Sequence, residues 1–187
     1  MRVIAGSAKG RRLKGPRDRS GRTRPSSDLV RGAVFSALAS MDADMSRVLD
    51  LYAGSGALGI EALSRGAETC DFVERDPGAC AVIKENLAAT GFAEQATVLC
   101  APVARVLQRL QGTYTLVLAD PPYEDREAAP LLAQLAASAL VSEGTVLVLE
   151  HSAREEPRGE LGNLSLVSVR RHGDSAVSIY RQEVNDC

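Results

Sequence analysis

Two short segments of this chain carry residue types that could do chemistry together. The first is Asp50-Leu51-Tyr52-Ala53-Gly54-Ser55-Gly56-Ala57-Leu58-Gly59, and the second is Asp120-Pro121-Pro122-Tyr123. Each follows an apolar run that reads as a buried strand. Glycines let a backbone approach a ligand closely and accept unusual dihedrals. The stretch Ala53, Gly54, Ser55, Gly56 could therefore hold a nucleoside cofactor, and a side chain at position 56 would stand where that ligand passes. The second segment could hold the exocyclic amino group of a planar base. Such an amine is a poor nucleophile, because its lone pair is delocalised into the ring. Two acceptors aimed at its hydrogens, the Asp120 carboxylate and the Pro121 carbonyl, would hold it and favour a pyramidal nitrogen. Consecutive prolines remove backbone donors and stiffen the loop. Tyr123 offers a face on which the base can stack. A base inside a duplex cannot reach such a pocket and must be flipped or unpaired. Together the segments suggest methyl transfer from S-adenosylmethionine to a nucleobase nitrogen.

The Gly-rich loop by itself leaves three readings open: S-adenosylmethionine, a dinucleotide and a structural turn. Its Gly54-to-Gly59 spacing is also Gly-x-Gly-x-x-Gly. Glu74, 18 positions beyond Gly56, could accept two ribose hydroxyls in either ligand, and Arg75 could pack beside adenine or stand at the surface. The preceding residues move weight to the methyl donor, since the Asp50 carboxylate could face its cationic amino-acid end. For Asp120-Pro121-Pro122-Tyr123 the plain alternative is a Pro-rich turn with Asp120 as a cap. His151 could reach the same crevice, but no partner for base catalysis is visible, and a hydrogen-bonded structural role is expected. His172 is expected in solvent. A cysteine-based carbon-5 mechanism needs an activated thiolate, and neither loop contains a cysteine.

The elements that must position these residues follow from periodicity. Residues 2–5 and 11–14 could pair as a small hairpin, with Gly6 and Gly10 flanking the turn. Residues 15–27 read as a loop, and Ser26, Ser27 or Asp28 caps a helix running to about Ser40. Strands are expected over 48–52, 69–74, 97–100, 116–119 and 145–150, and helices over 57–65, 77–90, 103–110 and 126–140. Near-continuous apolar strands separated by helices imply a parallel sheet covered on both faces. Runs 164–170 and 176–181, with a turn at 171–174, read as an antiparallel hairpin added to that sheet. The expected class is α/β, with the Rossmann-like sheet and antiparallel C-terminal hairpin of the class I methyltransferases. A basic extension over 1–40 precedes a methyltransferase domain over 41–187.

The chain has 187 residues, 45% of them apolar and none of them Trp, so Leu, Val and Ala must fill the core. No run approaches a membrane span, and the N-terminal residues lack the apolar stretch of a signal peptide; a cytoplasmic protein is expected. The four cysteines match no zinc pattern, and Cys70 and Cys100 are expected to be small buried hydrophobes. The net charge of −2 hides an asymmetry. Residues 1–31 hold ten Lys and Arg against Asp18 and Asp28, a balance of +8, which leaves −10 on the rest. A basic arm on an acidic body points to a polyanionic partner. Arg11, Arg12, Arg22 and Arg24 are the expected phosphate contacts.

These segments closely resemble the RsmD family of bacterial small-subunit ribosomal RNA guanine-N2 methyltransferases, over nearly the whole length. The resemblance is carried by Met1–Gly6 with Gly10–Leu13, by Arg24-Pro25-Ser26-Ser27-Asp28-Leu29-Val30-Arg31, by Leu49–Ala67, by Phe72–Asp76, by Asp120–Tyr123 and by Glu150-His151-Ser152. It implies S-adenosylmethionine as cofactor without a metal. It also implies a guanine of 16S ribosomal RNA as substrate, presented by an assembling small subunit to a monomeric enzyme. One departure is Ala101-Pro102, where the family often has an acidic residue that contacts the adenine amino group. Rival readings are a DNA methyltransferase acting on adenine N6 or cytosine N4, a non-catalytic RNA-binding assembly factor and, more distantly, an NAD oxidoreductase.

Overall fold

The computed structural model describes residues 1–15 and 26–182. Arg22, Arg24, Cys187 and the side chains of Ser26 and Ser27 lie outside the described residues. Eight strands form one sheet: β1 (Arg47–Leu51), β2 (Thr69–Glu74), β3 (Ala96–Cys100), β4 (Leu116–Ala119), β5 (Val146–Ser152), β6 (Glu160–Leu161), β7 (Leu164–His172) and β8 (Ser175–Arg181). Their order is β3-β2-β1-β4-β5-β8-β7-β6. β1 to β5 are mutually parallel, β8 runs antiparallel to β5, and β7 and β6 continue antiparallel. The expected α/β class is the one observed.

Alternation along the strands sorts the core into two layers. Val48, Leu116, Leu118, Val146 and Val148 face one side, with α1 (Ser26–Ser40), α2 (Ala57–Ser64) and α3 (Pro77–Thr90). Leu49, Leu51, Val117, Ala119 and Leu147 face the other, with α4 (Val103–Leu107) and α5 (Ala128–Ala136). β4 is buried on both faces, which is why it reads as an unbroken apolar run; β1 is buried from Val48 to Leu51, its run interrupted by Asp50.

α3 keeps its expected bounds because both ends are marked. The Asp76 side chain accepts from the amides of Gly78 and Ala79, Pro77 opens the first turn, and Gly91 closes the last. α4 and α5 are shorter than expected. Residues 108–110 fold back as a turn on Val106. Asp125 accepts from the Glu127 amide at 2.9 Å, which holds α5 back to Ala128, and the Ser138 hydroxyl caps Leu135 O at its far end.

The N-terminal segment is built into the sheet's own core. It pairs through one antiparallel bridge, Arg2 with Arg12, flanked by Val3 N–H to Arg11 O and Leu13 N–H to Met1 O. Val3, Ala8 and Leu13 pack in the cluster that contains α1, α2 and β1. Gly6, at φ 83°, lies so close to α2 that a Cβ would stand 1.7 Å from Ser64 O. Three other expectations are corrected. Cys100 is exposed, since β3 is the sheet's edge and only partly covered. β6 is an additional two-residue strand. β7 extends to His172, whose side chain is half-buried instead of solvated. Among the described residues no helix is long and apolar enough to cross a membrane.

Candidate active site

Strand order reverses between β1 and β4, the place where open α/β sheets bind ligands beyond their carboxyl ends. A cleft of about 620 Å³ opens there. Tyr52 and Gly54 enter it from the end of β1, Glu74 and Arg75 from β2, Pro102 from β3, and Asp120 with the two prolines and Tyr123 from β4. The two segments singled out by their chemistry therefore share one cavity.

The Gly-rich loop is held from below by carboxylates. Glu74 Oε2 accepts from the Gly54 amide at 2.9 Å, and Oε1 accepts from the Asp76 amide at 2.9 Å. Asp50 Oδ2 accepts from the Gly59 amide at 2.9 Å, tying the strand end to the first turn of α2. Gly56 donates to Ala53 O at 2.7 Å, and Ala53 to Val73 O at 3.0 Å. Tyr52 adopts φ 57°, an unusual left-handed conformation for a side chain of its size.

The expected cofactor residues divide into two groups. Gly54, Glu74, Arg75 and Asp120 line the cleft. Asp50, Ala53, Ser55 and Gly56 do not; they support its floor. A Cβ at Gly54 would meet nothing nearer than Tyr52 O at 4.0 Å, leaving that face open to a ligand. A Cβ at Gly56 would meet Ile83 and Phe72 at 3.2–3.3 Å, so the steric demand there comes from the core. The Ser55 carbonyl accepts from Asn86 Nδ2 at 2.9 Å. Burial raises the Asp50 pKa well above its ordinary value; the Gly59 bond opposes this, and Asp120 and Glu74 add to it.

Pro121 is buried, while Asp120, Pro122 and Tyr123 are exposed. The Tyr123 and Ser175 hydroxyls lie 2.6 Å apart. Behind this loop is a smaller recess of about 220 Å³, walled by Leu132, Leu149, Glu150 and His151. Both ring nitrogens of His151 are engaged, Nδ1 with Ser152 O at 2.9 Å and Nε2 with Ser178 Oγ at 2.7 Å, an arrangement suited to a structural role.

The main cleft is acidic. Glu74, Asp120, Glu124, Asp125 and Glu127 line it against Arg75. The Tyr52 hydroxyl is buried without a hydrogen-bond partner among the described residues. Its pKa is pushed up to about 12 by burial and by Asp125 and Glu127. The Cys80 thiol, which donates to Glu74 O at 3.4 Å, is likewise pushed up to about 12, by burial and its contact with Cys100. Tyr52, Asp125 and Glu127 were given no role by sequence; their position directly after a strand end or beside the Pro-rich loop was the available signal.

In the basic arm, Arg11 and Arg12 are exposed. The Arg11 guanidinium donates to Ala89 O at 3.2 Å, and Lys14 pairs with Glu85 at 2.7 Å. Arg31 instead turns inward, buried between Asp28 and Glu61. Among the described residues no group of three or more His, Cys, Asp or Glu side chains is placed to hold a metal ion.

The sheet order, the antiparallel end and the cleft at the switch point define the class: a Rossmann-like methyltransferase fold. Solved structures agree. That of Escherichia coli yhhF superposes with a TM-score of 0.83 at 30% identity, covering 98% of each chain. A Thermus thermophilus protein gives 0.81 at 34% identity, covering 98% of this chain and 99% of that one. The family described as conserved hypothetical protein 95 matches residues 1–181, and the chain belongs to it; this is the RsmD family that the sequence resembles. Bacillus subtilis YlbH is 36% identical over 185 residues, 97% of this chain and 99% of that protein. The Escherichia coli ribosomal RNA small subunit methyltransferase D is 31% identical over 183 residues, 98% of this chain and 90% of that protein.

Proposed function

We propose that this chain transfers a methyl group from S-adenosylmethionine to the exocyclic N2 of a guanine in 16S ribosomal RNA. The carrying observation is the single cleft onto which the Gly54 loop, Glu74 and the Asp120–Tyr123 loop all open. Family membership supports RNA as the substrate, since the Escherichia coli relative is named for small-subunit ribosomal RNA methylation.

The cleft fits this donor better than a dinucleotide. A pyrophosphate needs free amides at the helix N-terminus and a positive surround. Here the Gly54 and Gly59 amides are already taken by Glu74 and Asp50, and the charged groups of the lining are carboxylates except for Arg75. A sulfonium with an ammonium group is cationic and suits such a lining. When bound, the donor supplies an electrophilic methyl group. Glu74 would accept from its ribose hydroxyls, Gly54 would let it approach the backbone, and Pro102 and Val103 would give the adenine an apolar wall in place of an acidic contact. Asp120 and the Pro121 carbonyl accept from the amino hydrogens of the base, and the Asp120 carboxylate takes up the proton that the nitrogen sheds after methyl transfer. Tyr123 stacks on the base. The arm grips phosphates, and the enzyme works as a cytoplasmic monomer on an assembling small subunit.

The test is incubation with labelled donor and either total RNA, small ribosomal subunits or genomic DNA, with nucleoside mass spectrometry of ribosomal RNA after gene deletion. Label on RNA and loss of N2-methylguanosine are expected. Label on DNA alone would favour an adenine or cytosine amino-methyltransferase, and no label at all a non-catalytic assembly factor.

A further inference from the structure

Asn86, on α3, is buried, and its amide is used in full. Its Oδ1 accepts from the Lys14 amide at 2.8 Å. Its Nδ2 donates to Lys14 O at 3.0 Å and to Ser55 O at 2.9 Å. One side chain thus clamps both backbone groups of Lys14 and the middle of the Gly-rich loop. Lys14 is the root of the segment that carries Arg17, Arg19, Arg22 and Arg24. Along the same face of α3, Arg11 caps Ala89 O and Lys14 pairs with Glu85. The Met1 sulfur lies 3.9 Å from Ser55 Oγ, so the first strand of the arm also touches the loop.

We propose that Asn86 is a positioning residue that makes donor binding and RNA binding cooperative. The inference rests on the functional reading above and adds a physical link between its two ligands. Each partner of Asn86 is a backbone group whose position depends on a different ligand: Ser55 on the donor beside Gly54, Lys14 on phosphates gripped by the arm. A buried amide whose donors and acceptor are all engaged cannot follow one partner without straining its bonds to the other. Ordering either ligand's segment therefore orders the other's, and by linkage the effect is reciprocal.

The test is calorimetry of S-adenosylhomocysteine binding with and without an unmethylated 16S ribosomal RNA transcript. In wild type the RNA should tighten binding by about fivefold or more, within the usual range for coupled sites. Asn86→Ala removes all three bonds, and Asn86→Asp keeps only the acceptor for Lys14. In both, the ratio should fall to one while S-adenosylhomocysteine still binds. A merely structural asparagine would lower both affinities and leave their ratio intact, which would overturn the proposal, as would a ratio of one in wild type. Hydrogen exchange on wild type gives a readout independent of the variants. S-adenosylhomocysteine should protect amides of residues 12–15 as well as those of 53–59; protection confined to 53–59 would overturn the coupling while leaving the donor assignment standing. Failure of wild type to bind S-adenosylhomocysteine would sink the functional reading and the coupling with it.

Discussion

The hydroxyls of Tyr123 and Ser175 stand 2.6 Å apart and tie the Pro-rich loop after β4 to the first residue of β8. The stacking face proposed for the base is thus steadied by the C-terminal hairpin. Ser175→Ala removes one such bond, a change of about 0.5–1.5 kcal/mol. Turnover on ribosomal RNA should fall by roughly 2- to 10-fold, with S-adenosylhomocysteine affinity unchanged. Steady-state kinetics beside calorimetry check this.

Asp120→Ala should be far more costly. Removing a transition-state acceptor typically loses about 3–4 kcal/mol, or 10²–10³ in rate. Donor binding should stay within about tenfold, roughly 1.4 kcal/mol. Single-turnover methylation at the wild-type rate would refute the mechanism.

Asp50 makes a prediction about pH. Its folded pKa is raised, mainly by burial, so the folded state holds this proton more tightly than the unfolded chain. Its contribution is therefore fully present below the ordinary value of 3.8 and is lost as pH rises from there through the raised folded value. Asp50→Asn keeps an oxygen for the Gly59 amide and abolishes the titration. Relative to the variant, wild type should lose stability as pH is raised through that window. Urea unfolding of both proteins at several pH values measures the difference; parallel profiles would show that burial does not govern this carboxyl.

Glu61 is fully buried on α2 and holds the N-terminal segment. Its carboxylate accepts from the Ile4 and Ala5 amides at 2.8 and 3.0 Å and pairs with Arg65 at 2.8 Å and Arg31 at 3.5 Å. Glu61→Ala unpairs the Ile4 and Ala5 amides and removes one of the two carboxylates facing the buried Arg31, leaving Asp28, and should cost about 3–5 kcal/mol. The midpoint of urea denaturation reports it.

The arm predicts a salt effect. Neutralising Arg11, Arg12, Arg22 and Arg24 together should weaken RNA binding and lower the logarithmic salt slope by roughly 0.7–0.9 for each phosphate that the protein no longer neutralises. Equal slopes and affinities in a salt titration would mean that these arginines do not touch RNA.

The sheet was legible because β4 is buried on both faces and appears as an apolar run with its true bounds, while β2 keeps an apolar centre, Phe72-Val73, between Thr69 and Glu74 at its ends. α3 was legible because Asp76 and Gly91 mark its ends locally. The floor of the site was not. Glu61 reads as one acid on a helix and Asn86 as one polar residue among several, and the backbone groups of Ile4, Ala5 and Lys14 that they hold lie 56 or more positions away. Periodicity carries no record of such pairings. Cys100 misled because an edge strand has the composition of a buried one while half of it faces water. Gly56 was expected to need glycine because a ligand passes it; the crowding a Cβ would meet there comes from Phe72 and Ile83, packing that local sequence does not express.

The place of β8 between β5 and β7 bears on how the chain folds as it is synthesised. β7 is made before β8 but cannot reach β5 without it, since β8 supplies the whole seven-residue ladder along β5. Until residue 181 has emerged, the parallel core stands with the edge of β5 bare, and that edge is an apolar strand of the kind that recruits other chains. A nascent chain stalled anywhere before the last hairpin would therefore expose a template for aggregation beside an otherwise assembled cofactor site.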